Sequence, residues 1–335
     1  MTAFDRRHRS WPVEGRPFAQ VQVDVGPGPV GRGATARRGR PSSPARSDTA
    51  SVVGIWADPA DGSIHVERRH SGGAPLRIAA PELCLWRPPT DNDGISVGPL
   101  VGLGVRRQWL EWGLDSLRLI DHEVRTRRGS IRLDSNWVGA DPAAVVSHRR
   151  VITVGNGSFV RMAETVDVPA HFADLPRIGM RFDLPDTFDQ LEWFGLGPGD
   201  SYPDRHAATR VGRWHTTVEE THVRSVMPQE FGHRHDTRWL ELLDRHAAVG
   251  DPRSHTDLRI TASRRFGFNV SHYGITQLTD AVHADELVPT GRTEVIVDVA
   301  HRGLGSAACG PDTHPRHLVG PGRFRWTWTL AASRR

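Results

Sequence analysis

The sequence predicts an all-β protein, a large antiparallel sandwich with few short helices. Residues 178–184 alternate Ile, Met, Phe and Leu with Gly, Arg and Asp, and residues 324–330 alternate Phe, Trp, Trp and Leu with Arg and Thr. A period of two with one apolar face is typical of half-buried antiparallel strands. Strands do not alternate with longer helices along the chain, which argues against a doubly wound or (β/α)₈ domain.

Further strands are predicted between turn formers such as Gly155-Asn156-Gly157. They cover residues 130–138, 149–154, 159–168, 257–262 and 293–299. Their number and spacing favour a sandwich. Val21, Val23 and Val25 alternate with polar residues and predict one more short strand, apart from the others.

Two short helices are predicted, over residues 105–117 and 276–283. In the second helix, Thr276 is the expected N-terminal cap. The apolar positions that indicate the two helices are Trp109, Trp112, Leu117, Leu278 and Val282.

The chain of 335 residues is predicted to contain a disordered arm and one domain. Residues 1–50 are rich in Arg, Pro and Gly, and residues 26–48 have almost no apolar side chain to bury, so the entropy of ordering them is not offset. The β-sandwich domain is expected to occupy residues 51–335.

Composition argues against several classes of protein. The longest apolar runs are far shorter than the roughly 20 residues that span a bilayer, and the first residues lack the apolar core of a secretory signal, so we expect a cytoplasmic protein without membrane contact. Cys84 and Cys309 have no second Cys or His pair nearby, which disfavours a disulfide framework or a zinc site. The net charge is only +4 and the basic residues other than His are all Arg. We therefore expect no nucleic-acid partner, although phosphate binding by the Arg-rich arm is the functional alternative.

Two groups of titratable residues are candidate sites. Glu219, Glu220 and Glu230 could hydrolyse a glycoside if two of them faced each other, but a solvated strand edge is the favoured interpretation. His233 and His235 would share one face of a strand and could hold a metal. With an Arg between them and no third ligand nearby, a solvated turn is favoured there.

Two turn-rich stretches are harder to explain as plain loops. Residues 85–94 (LWRPPTDNDG) place Asp91, Asn92 and Asp93 after two prolines, where they can satisfy their own backbone through Asx turns. Trp86 and Arg87 lead directly into that turn. Residues 194–205 (FGLGPGDSYPDR) combine three glycines and two prolines with Tyr and three charged side chains.

These stretches belong to seven ordered motifs that resemble the C-terminal domain of the large β-galactosidases, of glycoside hydrolase family 2. The same domain is similar to the separately encoded small subunit of two-chain β-galactosidases. The resemblance extends from about Ile55 to the C-terminus. The motifs are 85–94 (LWRPPTDNDG), Trp109 with 113–115 (GLD), 193–205 (WFGLGPGDSYPDR), 228–232 (PQEFG), 238–240 (RWL), 268–273 (FNVSHY), and 303–305 (GLG) with 309–312 (CGPD).

The resemblance implies a β-supersandwich related to galactose mutarotases, acting as the non-catalytic part of a β-galactosidase. The catalytic carboxylates and the Mg²⁺ ligands, with Na⁺ as a further candidate ion, belong in that family to a (β/α)₈ barrel that this chain lacks. No cofactor or metal is expected here. The implied partners are a barrel-bearing large chain and a carbohydrate, a terminal β-galactoside such as lactose.

The resemblance also implies roles for individual residues. The loop around Cys309 would reach into the partner's active site, with the small Cys where other members carry a Trp. Tyr202, Asp204 and Arg205 would pin neighbouring strands, with a buried Asp–Arg contact. Trp86, Arg87, Asp91, Asn92 and Asp93 would form a second structural loop.

Two other functions stay open at this point. A stand-alone carbohydrate-binding sandwich would need no partner chain. An aldose mutarotase would need a His acid and a carboxylate base that converge; His148, His272 and Glu164 are the available residues, but none lies in a recognisable mutarotase motif. Trp86 and Trp193 are predicted to be core residues in any of these cases.

Overall fold

The computed structural model describes residues 2–4, 17–20, 22, 54–67, 75–94, 104–155, 158–245 and 257–333. The chain divides into two compact units, Met1–Ser51 and Val52–Arg335. In the first unit, β1 (Thr2–Phe4) pairs antiparallel with β2 (Pro17–Gln20). Residues 26–48, predicted to be disordered, lie outside the described residues, as do Val21, Val23 and Val25 of the predicted short strand.

The second unit is built from antiparallel strands, which confirms the all-β prediction. Its strands are β3 (Ile55–Ala57), β4 (Ile64–Val66), β5 (Leu76–Ile78), β6 (Glu82–Cys84), β7 (Arg118–Arg127), β8 (Ser130–Val138), β9 (Val146–Gly155), β10 (Phe159–Val168), β11 (Arg177–Pro185), β12 (Phe188–Gly197), β13 (Arg210–Thr217), β14 (Arg234–Asp244), β15 (Asp257–Ser271), β16 (Arg292–His301) and β17 (Gly322–Ser333).

Twelve of these strands form one branched sheet. Its main path runs β13-β12-β14-β15-β17-β10-β9-β8-β7, while β3, β4 and β5 form a separate small sheet. The branch begins at β15, because residues 257–262 pair with β17 whereas residues 267–271 pair with β16. Strand β16 then pairs with β11, and β11 pairs with β6.

The branch packs across the apolar core on the main path. The ring of Phe182 on β11 stacks 6.0 Å from the ring of Trp328 on β17, and the Arg150 guanidinium of β9 contacts the sulfur of Met180 on β11. This face-to-face packing is the sandwich that the alternating patterns predict. Trp86 and Trp193, the two predicted core residues, are 5% and 1% exposed.

Helices are short, and both differ from the sequence prediction at their ends. Helix α1 (Val105–Glu111) stops six residues before the predicted end at 117, and a 3₁₀ helix (Leu114–Ser116) follows it after Gly113, whose φ is 68°. Helix α2 (Ile275–Asp280) is capped by Gly274, so Thr276 lies inside the helix and the predicted cap is wrong. No helix in the described part of the chain has the length and apolar character to cross a membrane.

Candidate functional site

Residues 302–313, which follow β16, are contacted by two of the turn-rich segments singled out above. Residues 86–94 follow β6, and residues 198–205 follow β12. Strand β16 ends at His301, and the backbone oxygens of Arg302, Gly303 and Gly305 beyond it accept hydrogen bonds from side chains of the 86–94 segment. We call residues 302–313 the 302–313 loop.

A buried ion pair joins the 86–94 segment to the base of the loop. The Arg87 guanidinium lies 2.6 Å from an Asp93 carboxylate oxygen, and neither side chain is exposed. Arg87 also donates to the backbone oxygen of Arg302 at 2.8 Å. Asp93 accepts two further bonds from Thr90, through the backbone N–H and the hydroxyl, each at 2.9 Å. The Pro-Pro turn thus holds a charge that fixes the start of the loop.

A neighbouring residue of the same turn, Asn92, also bonds to the loop. The Asn92 carboxamide donates to the Gly305 oxygen at 2.9 Å and accepts from the Ala308 N–H at 3.2 Å. Asp91 has a different contact: its backbone N–H donates to the side-chain oxygen of Gln229 at 3.2 Å. Trp86 donates from its indole to the Thr279 hydroxyl at 2.9 Å and is a core residue.

The 198–205 segment contacts the loop through Asp204. Its carboxylate accepts from the N–H groups of Leu304 and Gly305 at 2.9 and 2.7 Å and from the Thr313 hydroxyl at 2.7 Å. Burial raises the pKa of Asp204, but these hydrogen bonds outweigh burial and the net shift is downward. The expected buried Asp–Arg contact of this segment is wrong: Arg205 pairs at the surface with Asp200, at 2.6 Å.

Tyr202 is part of this segment, and its side chain is directed into the protein interior. It is fully buried, and its ring is 5.3 Å from that of His233 and 5.5 Å from that of His301. Burial raises the pKa of its hydroxyl well above the usual range. Tyr202 is therefore a neutral packing element between the segment and the end of β16.

Cys309 lies near the tip of the 302–313 loop and is exposed. Its backbone N–H donates to the Ser306 oxygen at 3.1 Å, and the Ser306 N–H donates to the Pro311 oxygen at 3.2 Å, so the tip closes on itself. Cys84 is also a free thiol but is buried, and burial raises its pKa to about 11. Cys309 is thus the thiol that a ligand or partner could contact.

A second group of polar side chains is buried around Arg177. The Arg177 Nη2 atom lies 2.9 Å from the Asn269 oxygen, 3.0 Å from His301 Nε2 and 3.2 Å from both Glu230 oxygens. His301 donates from Nδ1 to the Arg302 oxygen at 2.8 Å, which fixes its tautomer and connects this group to the 302–313 loop. Two interpretations from the sequence are wrong here, since Glu230 is not at a solvated edge and His233 is not in a solvated turn.

Burial dominates the electrostatics of this group. It raises the pKa of Asp298 to about 7 despite the nearby Arg177, and it raises the pKa of Glu230. Burial lowers the pKa values of His233 and His301 well below the usual range, and the positive charge of Arg177 lowers both of these values further. The histidines are therefore neutral acceptors or donors, and the guanidinium is the cation they surround.

Glu230, His233 and His301 could in principle hold a metal, because one ligand atom from each lies within 4.8 Å of the others. Arg177 already provides a cation 3.0 Å from His301 Nε2 and 3.2 Å from Glu230. A second positive charge at that distance would be strongly repelled in a buried site. We assign no metal to this set.

The other candidate catalytic residues bond to different partners, except for His148 and Glu164. Glu220 accepts from Thr216 and Thr217 in a surface turn, whereas Glu230 contacts Arg177. His148 bonds to Glu164 at 2.8 Å, but this pair is buried. His272 instead lies 3.3 Å from the Arg292 oxygen.

The pKa of Glu164 does not suit a general base. Burial raises it, but Arg150 and His148 outweigh burial and lower it to about 2. With His272 bonded elsewhere, these residues do not form the acid–base pair of a mutarotase.

Sequence reasoning missed Arg177, Asp298, His301 and Arg302. Arg177, His301 and Arg302 stand at or beside the end of a strand, and Asp298 lies inside one, where the apolar pattern drew attention away from them. Strand pairing brings them together, since Arg177 and His301 are cross-strand neighbours at one end of the β11–β16 pair. Arg302 bonds to Asp174 at 2.9 Å and to Asp312 at 2.6 Å, and so fixes both ends of the loop.

Comparisons with known proteins show which family the chain resembles. Residues 55–330 match the family model described as "Beta galactosidase small chain". The chain is 32% identical to a β-galactosidase of Arthrobacter sp. (strain B7), over 94% of this chain and 31% of that protein. It is 26% identical to one from Staphylococcus xylosus, over 73% of this chain and 23% of that protein. Among solved structures, a GalM/aldose epimerase homologue from C. elegans is 10% identical, with a TM-score of 0.40 over 84% of this chain and 96% of that chain.

The chain thus spans less than a third of the length of the curated relatives that it matches. The matched region includes the whole of the second unit from β3 to Leu330, with the 86–94 and 198–205 segments and the 302–313 loop. The chain belongs to the β-galactosidase small chain family.

Proposed function

We propose that this chain is the non-catalytic C-terminal portion, or the separate small subunit, of a β-galactosidase that hydrolyses terminal β-D-galactosides such as lactose. Its role is to close one wall of the active site and to stabilise a partner that carries a (β/α)₈ barrel. The proposal rests on family membership, and on the fact that the matched relatives are more than three times as long as the part this chain covers.

The observation that carries the proposal is the construction of the 302–313 loop. An exposed loop of glycines and small residues would ordinarily be mobile, yet side chains from two other segments and Arg302 bond to it. Such pre-organisation is expected of a loop that must present one side chain to a ligand in a fixed position. Cys309, exposed near its tip, is the side chain that would contact the sugar.

In this division of labour, the partner supplies the two carboxylates of retaining glycoside hydrolysis. The partner would also hold the Mg²⁺ ion, and Na⁺ where a second ion is needed. This chain contributes shape and exclusion of water at one side of the sugar, through the 302–313 loop and the segments that hold it.

Reconstitution tests the proposal directly. The purified chain, a barrel-bearing large chain, and their mixture are each assayed with an aryl β-galactoside, and complex formation is measured by analytical sizing. We expect turnover only in the mixture, together with a heavier complex. Hydrolysis by the purified chain alone, free of other hydrolases, would contradict the proposed division of labour. It would also be contradicted if adding this chain changed neither the activity nor the mass of the large chain.

A further inference from the structure

The 302–313 loop has little regular secondary structure, so its shape must come from other contacts. Its tip is closed by hydrogen bonds of Ser306 with Pro311 and with residues 309–310. Those bonds define a turn but do not orient that turn on the body of the protein. The orientation depends on bonds between residues 304–308 and side chains from elsewhere.

Asn92 provides one such contact with both halves of its carboxamide. It donates 2.9 Å to the Gly305 oxygen and accepts 3.2 Å from the Ala308 N–H. A carboxamide offers a donor and an acceptor on separate atoms, whereas a carboxylate has no proton to donate and an ammonium group has no lone pair to accept. Ala308 directly precedes Cys309, so this contact ends one residue from the exposed thiol.

Asp204 provides the second contact, on the other side of Gly305. One carboxylate receives the N–H groups of Leu304 and Gly305, as well as the Thr313 hydroxyl from the far end of the loop. The fit is close: a Cβ atom at Gly303 would lie 2.5 Å from the Thr313 hydroxyl and 2.6 Å from the Asp204 carboxylate. A side chain at position 303 would therefore collide with the groups that Asp204 and Thr313 bring together.

We propose that Asn92 and Asp204 are positioning residues, which together fix the register of the 302–313 loop and so set where Cys309 stands against a bound galactoside. Asn92 holds the donor–acceptor pair nearest the thiol, and Asp204 holds the two ends of the loop together. The substrate-facing part of this inference rests on the function proposed above, whereas the clamping of the loop does not.

The hydrogen bonds from Asn92 and Asp204 to the 302–313 loop are called the clamp here. They are tested first in the isolated full-length chain, by hydrogen exchange of individual backbone amides. Asn92→Ala removes the acceptor of the Ala308 N–H, and Asp204→Asn weakens the acceptor of the Leu304 and Gly305 N–H groups. Losing a net stabilisation typical of one hydrogen bond should speed exchange of those amides by about fivefold to tenfold. Asn136→Ala is the matched control, since the Asn136 carboxamide bonds to Asp121 and Ser147 on strands β7 and β9.

A second variant keeps the test valid if Asn92→Ala unfolds the turn. Asn92→Asp is nearly isosteric and keeps the acceptor for Ala308, but it places a carboxylate oxygen against the Gly305 oxygen. We expect faster exchange across residues 304–308 with an unchanged thermal midpoint. Unchanged exchange in Asn92→Asp and Asp204→Asn, with each variant folded, would overturn the clamp.

The effect on substrate is measured in the reconstituted enzyme. Displacing the 302–313 loop as a whole, and not the thiol alone, should remove binding that is equal in the ground and transition states, so KM for the galactoside should rise by about threefold to tenfold while kcat stays within twofold. A merely structural defect would lower the amount of active complex, and hence kcat, without this split. Faster exchange with unchanged KM would leave the clamp in place and contradict the proposed contact between the loop and the sugar.

Discussion

The Arg87 guanidinium and the Asp93 carboxylate form an ion pair of 2.6 Å in which neither side chain is exposed to solvent. The pair lies within one turn, six residues apart, and its further hydrogen bonds include those to the Arg302 and Gly303 oxygens and to Thr90. Because each charge in it faces the opposite charge, the pair can be buried at the base of the 302–313 loop. The same burial makes each partner dependent on the other.

Removing one partner should therefore cost far more than removing a surface charge. We expect Asp93→Ala to lower the free energy of unfolding by about 3–5 kcal/mol, because it leaves Arg87 buried without its counter-charge. Urea denaturation followed by tryptophan fluorescence measures the change.

The control for that experiment is Asp61→Ala, which breaks the 2.5 Å pair of Asp61 with Arg77 at the surface. Exposed pairs contribute at most about 1 kcal/mol. Equal losses in the Asp93 and Asp61 variants would mean that solvent reaches the Arg87–Asp93 pair.

The loss of unfolding free energy on replacing a tryptophan should also depend on how deeply that tryptophan is buried. Trp86→Ala and Trp193→Ala should each lower the free energy of unfolding by about 3–5 kcal/mol, since each leaves a large cavity in the core. Trp56 is the matched control: it is 40% exposed, and its ring stacks on His65 at 5.3 Å. We expect Trp56→Ala to cost about 1 kcal/mol. A Trp86 variant with full stability but lost partner-dependent activity would show that this residue contacts ligand or partner instead of core.

Sequence reasoning predicted the strands with one apolar face well and the others poorly. Residues 130–138 and 159–168 were predicted to their exact ends, because their buried positions alternate. Strand β7 was missed since all but one of its residues are exposed and its sequence, RLIDHEVRTR, shows no apolar face. It is held by backbone pairing with β8 at the edge of the sheet, which side-chain pattern does not report.

The motifs drew attention to residues that contact the 302–313 loop, but not to the contacts themselves. Arg87, Asn92 and Asp204 bond to that loop across more than 100 positions in sequence. Such pairings depend on the order of strands in the sheet, which short patterns do not specify. The Arg177 group was missed for a further reason. Its Glu and His residues were interpreted from their neighbours in sequence. The cation that they surround, Arg177, comes from another strand.

The raised pKa of Asp298 predicts a specific pH dependence of stability. Burial raises this pKa to about 7, against about 3.9 in an unfolded chain. The folded state then binds the proton more tightly, so this stabilisation is complete below about pH 4 and is lost as the pH rises through 7. Asp298→Asn keeps a neutral side chain at all pH values. Its stability relative to the wild type should therefore increase between pH 5 and about pH 8, measured by urea denaturation.

Glu164 should give the opposite sign, which provides an internal check. Its pKa is lowered to about 2, so its stabilisation is present above about pH 4.5 and is lost as the pH falls toward 2. The advantage of the wild type over Glu164→Gln should shrink on acidification. Parallel slopes for the two variants across pH 3 to about pH 8 would contradict the charge states assigned to both groups.

Cys309 offers a test of what the 302–313 loop contacts. If its thiol faces the sugar, it provides little apolar area, and an aromatic ring at that place would provide more. In the reconstituted enzyme, Cys309→Trp should lower KM for lactose by about threefold to tenfold, equivalent to roughly 1 kcal/mol of added stacking. Cys309→Ala should change KM by less than about twofold, because a methyl group and a thiol are similar in size.

The same variants distinguish a substrate contact from a general effect of an added aromatic residue. Val226→Trp is the control, because Val226 is 93% exposed and lies outside the 302–313 loop. KM should be measured for lactose and for an aryl galactoside, since the two differ in the group that would meet the ring. Unchanged constants for both substrates in both Cys309 variants, with folding and assembly intact, would remove the loop from the active site. A change in KM for Cys309→Trp that Val226→Trp does not share would place the loop against the bound sugar.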